Sequence, residues 1–289
     1  MSLQSTPSVV VTGGASGIGR ATVLRMLDEG WSVVAADMNP DSLARLAEEV
    51  GGGADRLATI VANVAVEEDV SAAVALAVDR FGGLTGIANN AGVGGAFGSI
   101  AEIEAEDWDY TFDVVARGVF FGIKYAVRAM REQGVGGSIV NTGSVAAFNG
   151  GGGPAIYSAA KAAVVNLTKA SSIELAGDLI RVNAVCPGVI YTPLLEKGLP
   201  EEARTTPPLS QPWPRWGKPE DIAAAIAFLL GPDSTFMTGQ TLTVDGGLMA
   251  AGPGPEFART MGIDARHLGM VGVNRGSTGV KSQVRRRTP

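Results

Sequence analysis

Tyr157 and Lys161 stand four residues apart, so on a helix they share one face about a turn from each other. A phenol and an ammonium so placed can move a proton. A free tyrosine has a pKa of about 10, and working as a base near pH 7 needs about three units, roughly 4 kcal/mol, of preference for the phenolate. A cation about 4 Å away at an effective dielectric of about 20 supplies about that much. The expectation is a phenol acidified by Lys161. Ser144, a second hydroxyl, follows the strand-like run Ser138 to Asn141, at the end of a strand where open α/β sheets place their ligands.

A phosphate-binding turn lies at the other end of the chain. Thr12-Gly13-Gly14-Ala15-Ser16-Gly17-Ile18-Gly19 follows an apolar run and opens a helical pattern, so bare N–H groups and the helix dipole would face an incoming pyrophosphate. A Cβ there would hold the phosphates off. Such a turn can also be purely structural, but Asp37 closes the next apolar run 18 residues after Gly19, where a carboxylate can accept both ribose hydroxyls of NAD. A 2'-phosphate beside that carboxylate would meet repulsion on the order of several kcal/mol, which favours NAD over NADP. The plain alternative for Asp37 is a helix-capping aspartate.

The elements that must position these groups follow a strand, helix, strand rhythm. Val9 to Val11 precedes a helix from Gly17 through Leu27 that stops at Gly30, and Val33 to Ala36 ends at Asp37. Leu57 to Ala62 precedes a helix Val70 to Phe81, Gly86 to Asn89 one from Trp108 to Met130, and Ser138 to Asn141 one from Tyr157 to Leu175. Ile180 to Val185, a helix Pro219 to Leu230 and Thr241 to Val244 complete the series. Strands alternating with helices argue for right-handed crossovers. The expected fold is an α/β, Rossmann-type doubly wound parallel sheet of about seven strands with helices on both faces, in a single domain spanning 1–250. Residues 192–216, rich in Pro and Glu, read as a mobile substrate loop. Residues 251–289 form a basic extension, a tail of +5 after a body of -11, either docked on an acidic surface or a solubilising end.

Composition removes other chemistries. The chain has 289 residues, of which 46% are hydrophobic and 18% charged, with a net charge of -6. No Lys or Arg block occurs before the extension, so neither nucleic acid nor a membrane is an expected partner. The single cysteine, Cys186, and the single histidine, His267, leave no disulfide framework, no metal site and little room for a His-based triad. Cys186 reads as a buried small hydrophobe and His267 as a surface residue. Without an apolar run of about 20 residues or a signal pattern, a cytoplasmic protein is expected.

Taken together, Thr12-Gly-Xaa3-Gly-Xaa-Gly, Asn89-Asn90-Ala91-Gly92, Ser144, Tyr157-Xaa3-Lys161, Pro187-Gly188 and Asp245-Gly246-Gly247 resemble the classical short-chain dehydrogenase/reductases over residues 8 to 250. The resemblance implies a nucleotide-binding oxidoreductase, a homotetramer, that exchanges hydride between NAD and a secondary alcohol or ketone. Ser144 would bind the substrate oxygen, Tyr157 exchange its proton, and Lys161 also hold the nicotinamide ribose. Gly13, Ser16, Gly17, Ile18 and Gly19 would cradle the phosphates, and Asp37, Met38, Asn63 and Val64 the adenosine. Asn90, Ala91 and Gly92 would leave room beside the adenine ribose, and Pro187, Gly188, Ile190 and Thr192 would hold the nicotinamide end.

Two positions depart from the family pattern. Asn63 replaces an Asp that meets the adenine amino group, at a cost of about 1 kcal/mol at most. Val115 falls where the family has an Asn that kinks the fourth helix and anchors a proton-relay water, and valine can neither donate nor accept. The relay is then rebuilt from another group or water, or proton exchange is slow; the alternative function is an NAD-binding sensor or scaffold. Phe97, Phe148, Leu194, Leu195, Trp213 and Trp216 lie in segments that could border the pocket, and no cation aims at a carboxylate or phosphate, which points to an apolar, cyclic substrate.

Overall fold

The computed structural model of the chain describes residues 6–51, 55–196, 201, 211–251, 270–273 and 283–286. The strands are β1 (Ser8–Thr12), β2 (Ser32–Asp37), β3 (Leu57–Val61), β4 (Gly86–Asn89), β5 (Gly137–Thr142), β6 (Ile180–Pro187) and β7 (Thr241–Val244), which form one sheet in the order β3-β2-β1-β4-β5-β6-β7. Every pairing in it is parallel. The central strands are buried on both faces, which is why they read as unbroken apolar runs such as Ser-Val-Val-Val-Thr in β1. At the edge, β3 has only Leu57 buried and then alternates half-buried with exposed residues.

Successive residues of one strand feed opposite cores. Val9, Val11, Val33 and Ala35 pack with α1 (Gly17–Asp28), α2 (Pro40–Val50) and α8 (Pro219–Leu230) through residues such as Met26, Leu46 and Ile226. Val10, Val34, Ile87 and Ile139 pack with α3 (Glu67–Phe81), α5 (Gly118–Gln133) and α6 (Ala155–Leu175) through Val74, Ile123, Met130 and Val164. Each fully buried side chain of this kind contributes roughly 1.5–3 kcal/mol. The order reverses between β1 and β4, and at such a switch point the crossovers part and leave a crevice beyond the strand C-termini.

Three details differ from the sequence reading. The helix expected from Trp108 to Met130 is broken: α4 (Ala105–Phe112) passes into a π turn, Asp113–Arg117, before α5. There the Gly118 N–H bonds back five residues to the Asp113 carbonyl, which inserts one residue into the helical ladder. The segment from 192 to 216 contains a short helix, α7 (Pro193–Glu196), and its two ends are tied, because the Tyr191 N–H donates to the Gly217 carbonyl at 2.8 Å. Residues 197–200 and 202–210 of that loop lie outside the described set. Of the basic extension, β8 (Met270–Val273) and β9 (Gln283–Arg286) pair antiparallel; His267 and most of the tail lie outside the described residues. Among the described residues no helix is long and apolar enough to cross a membrane.

Candidate active site

β5 and α6 bring the proton-handling groups together. Ser144 lies two residues beyond the end of β5, and its Oγ accepts the Ala146 N–H at 3.1 Å, which fixes the hydroxyl at the start of a 3-10 turn. Tyr157 and Lys161 project from the first turns of α6. Lys161 is 3% exposed and donates from Nζ to the Thr142 carbonyl at 2.6 Å, so a β5 backbone group holds the amine. The Nζ lies 5.7 Å from the centre of the Tyr157 ring.

In the chain by itself the phenol is shifted upward, opposite to the direction expected beside a bound pyridinium and Lys161. Burial raises the Tyr157 phenol above its ordinary 10.0, and the hydrogen bond with Ser144 only partly offsets it. Lys161 is not what perturbs the phenol: its strongest donor bond goes to the Thr142 carbonyl, and its own pKa is pushed down to about 8 by burial. Four-residue spacing puts both groups on one face, and burial of the phenol is the largest influence on its pKa. Cys186, wholly buried beneath them, is pushed up to about 11 by burial, against the pull of the Ser144 backbone N–H and Lys161. It stays a thiol at neutral pH, the inert small hydrophobe that the sequence suggested.

The glycine-rich turn is shaped by close approach. Gly13 sits at φ +63 and a Cβ there would come within 2.9 Å of the Ala91 Cα; on Gly19 a Cβ would collide with the Gly13 carbonyl. Ser16, the N-cap of α1, makes no side-chain cap bond, leaving the helix N-terminus open to a ligand. Asp37 does not cap a helix. Its Oδ2 accepts the Ala15 N–H and its Oδ1 the Asn39 N–H, both at 3.0 Å, and the N-cap of α2 is Asn39. The carboxylate thereby braces the turn from behind. Asn90 does the same from β4, donating to the Thr12 carbonyl at 3.1 Å, while Thr12 Oγ1 accepts the N–H groups of Asn90 and Ala91. Asn63 accepts the Ala65 N–H with its own side chain.

A cavity of about 670 Å³ runs across the C-terminal ends of β1, β2, β4, β5 and β6. Of the site residues named from sequence, it is lined by Ser144, Tyr157, Lys161 and every cofactor candidate except Gly19, whose part is to let the turn close. Among the described residues Lys161 is the one cation in its lining. Among the proposed bordering side chains, Leu194 and Leu195 line it. Phe97, Phe148 and Trp213 are exposed and do not, and Trp216 packs edge-on against Tyr191 at 5.7 Å. Tyr110, Asp113 and Val114 also line the cavity. They were missed, although their i, i+3, i+4 spacing marks one helical face. Val115, at 0% exposure, stays out of it, and the kink expected from an Asn exists without one. Among the described residues no group of His, Cys, Asp and Glu could hold a metal ion.

Comparison with known proteins agrees with this architecture. Residues 13–249 match the family model described as enoyl-(acyl carrier protein) reductase. The chain is 40% identical over 240 residues to a 3-oxoacyl-(acyl-carrier-protein) reductase of Thermotoga maritima, covering 83% of this chain and 96% of that protein. It is also 40% identical over 237 residues to a cyclohexanol dehydrogenase of Acinetobacter sp., covering 82% and 92%. The crystal structure of levodione reductase superposes with a TM-score of 0.79 at 37% identity, covering 85% of this chain and 98% of the other. Two further similar structures carry nucleotide. A 3-ketoacyl-(acyl-carrier-protein) reductase from Brucella melitensis, solved with NADH, has a TM-score of 0.76 at 34% identity over 86% and 99% of the chains. ElxO with NADP bound has 0.78 at 30% over 85% and 99%.

Proposed function

The chain belongs to the short-chain dehydrogenase/reductase family, and we propose that it transfers hydride between NAD(H) and an apolar, cyclic secondary alcohol or ketone through Ser144, Tyr157 and Lys161. As a member of that family it is an oxidoreductase that works with a nicotinamide cofactor. One observation carries the finer reading: a single cavity is lined by the three proton-handling residues and by Asp37, and among the described lining residues the only cation is Lys161. The carboxylate would accept the ribose hydroxyls of NAD and repel the extra phosphate of NADP.

A bound dihydronicotinamide would supply the hydride for ketone reduction, and its oxidised form would take one from an alcohol. The rest falls to the chain. Ser144 would hold the carbonyl oxygen of the substrate by hydrogen bond. Tyr157 would give its Oη proton to that oxygen as the carbonyl carbon is reduced, and take it back in oxidation. The protonated phenol is the form that gives that proton in reduction, and the phenolate the form that takes it in oxidation. Lys161 would hold the nicotinamide ribose, and the N–H groups at the open start of α1 the pyrophosphate. The apolar wall at Leu194 and Leu195, with no second cation among the described residues of the lining, suits a substrate without charge. A homotetramer in the cytoplasm completes the reading on family likeness and the lone reduced thiol. Absorbance at the NADH wavelength with a panel of secondary alcohols and cyclic ketones, run with NAD and with NADP, tests it. Turnover confined to charged compounds would contradict the apolar pocket, and dinucleotide binding without any turnover would favour the sensor reading that Val115 raises.

A further inference from the structure

Residues 187 to 195 line the cavity in an almost continuous run, and the exception is Tyr191. Its side chain points the other way. The phenol donates to Glu196 Oε1 at 3.2 Å, at the far end of α7, and its ring meets the Trp216 ring at 5.7 Å and 60°. Its backbone is fixed too: the Tyr191 N–H donates to the Gly217 carbonyl at 2.8 Å, and Ile190 pairs with Gly217. Gly217 suits this close approach, since a Cβ would displace the tip of the Ile190 side chain and come within 3.0 Å of the Val189 carbonyl. Behind Trp216, Arg215 is held by Asp221 through hydrogen bonds of 2.6 and 2.8 Å, one per guanidinium nitrogen. A chain of contacts therefore runs from the start of α8 through Arg215, Trp216 and Tyr191 to Glu196.

What this chain of contacts steadies is α7. Four residues are too few to hold a helix alone; among the described residues its internal bonds run from the Glu196 N–H to the Thr192 carbonyl at 2.9 Å and from the Leu195 N–H to Thr192 Oγ1 at 3.4 Å. Yet α7 carries Leu194 and Leu195 into the cavity wall, and Leu194 is 59% exposed. An apolar side chain left that open at a pocket mouth is one that a ligand covers.

We propose that Tyr191 is a positioning residue for substrate selectivity, its phenol bound to Glu196 and its ring against Trp216 holding α7 so that Leu194 and Leu195 press on a bulky apolar substrate. The proposal rests on the alcohol and ketone chemistry argued above. Tyr191→Phe keeps the ring contact and removes the bond to Glu196; Glu196→Ala removes the same bond from the other side, and Glu196→Gln keeps an acceptor oxygen there. With cyclohexanol the first two raise KM about five- to tenfold with kcat within twofold, with 2-propanol KM moves less than twofold, and Glu196→Gln behaves as the wild type. Equal changes for both alcohols, or no change in Tyr191→Phe, overturn the proposal. A second readout needs no turnover: amide hydrogen exchange across Leu194, Leu195 and Glu196 speeds at least tenfold in Tyr191→Phe. Unchanged exchange overturns the latch even if the wild-type enzyme is active. A wild-type protein that turns over neither alcohol, while exchange still speeds, contradicts the oxidoreductase reading and leaves the latch standing.

Discussion

The amine of Lys161 is bound to the carbonyl of Thr142 at 2.6 Å and lies 5.7 Å from the ring centre of Tyr157. The two groups share a helical face, as their spacing requires, yet the lysine serves the β5 backbone before it serves the phenol. Burial acts on both groups, raising the pKa of the phenol and lowering that of the amine.

The first consequence is the direction of the pH dependence. Burial raises the Tyr157 pKa above 10.0, so the protonated phenol that reduction needs predominates through neutrality, and the phenolate that oxidation needs grows with pH. Alcohol oxidation, measured as kcat/KM, should climb by up to about tenfold per unit between pH 6 and 9, while ketone reduction holds steady to about pH 8. An oxidation profile already flat at pH 7 would mean that the phenol is acidified after all.

Lys161 makes a stability prediction with the opposite charge type. Its folded value of about 8 lies below the ordinary 10.5 because of burial, so below about pH 8 the folded chain bears a buried ammonium that the unfolded chain keeps in water. The cost is fully present there and disappears as pH rises toward 10.5, so stability increases across that window. The shift corresponds to on the order of 3 kcal/mol, less about 1 kcal/mol for the Thr142 hydrogen bond. Without dinucleotide, Lys161→Met should melt higher than the wild type at pH 7, with the gap narrowing by pH 10. A gap independent of pH would refute the assignment.

Val115 is wholly buried beside a π turn that forms without an Asn. Val115→Asn would bury an amide in an apolar setting and cost about 1–3 kcal/mol of stability, seen as a lower melting temperature. Were the missing polar group limiting proton exchange, turnover should nevertheless rise several-fold and its pH profile change shape. Unaltered rate and profile would show that the relay does not depend on this position.

Asp37 carries the cofactor preference. Asp37→Ser removes a charged acceptor worth about 1.5–3 kcal/mol and also loosens the Ala15 N–H that it accepts at 3.0 Å. NADH binding, followed by nucleotide fluorescence, should weaken at least tenfold while NADPH binding improves. A variant that loses both nucleotides equally would assign Asp37 to the turn alone.

The sheet was readable because its central strands, buried on both faces, leave no polar alternation to confuse with a helix, as in Val9 to Val11 and Val33 to Ala36. The cofactor crevice followed from glycines whose absent Cβ atoms have visible reasons, Gly13 and Gly19 above all. The π turn was not legible, because Asp113 to Arg117 keeps the spacing of an ordinary helix and the extra residue shows only in the hydrogen bonds. Nor was the phenol's direction: spacing reports a shared face, whereas the pKa depends on burial and on where the lysine's hydrogen bond goes. Phe97 and Trp213 looked like pocket walls from composition, but chain position cannot say which side of a loop turns inward, and both turn out.

The central claim is that the Tyr157 hydroxyl delivers the proton when a ketone is reduced by NADH. Single-turnover reduction of cyclohexanone, followed by loss of NADH absorbance in the wild type and in Tyr157→Phe, tests it most directly. The account predicts at least a thousandfold slower decay in the variant, with NADH affinity within about threefold. A variant that consumes NADH at more than a tenth of the wild-type rate would contradict it.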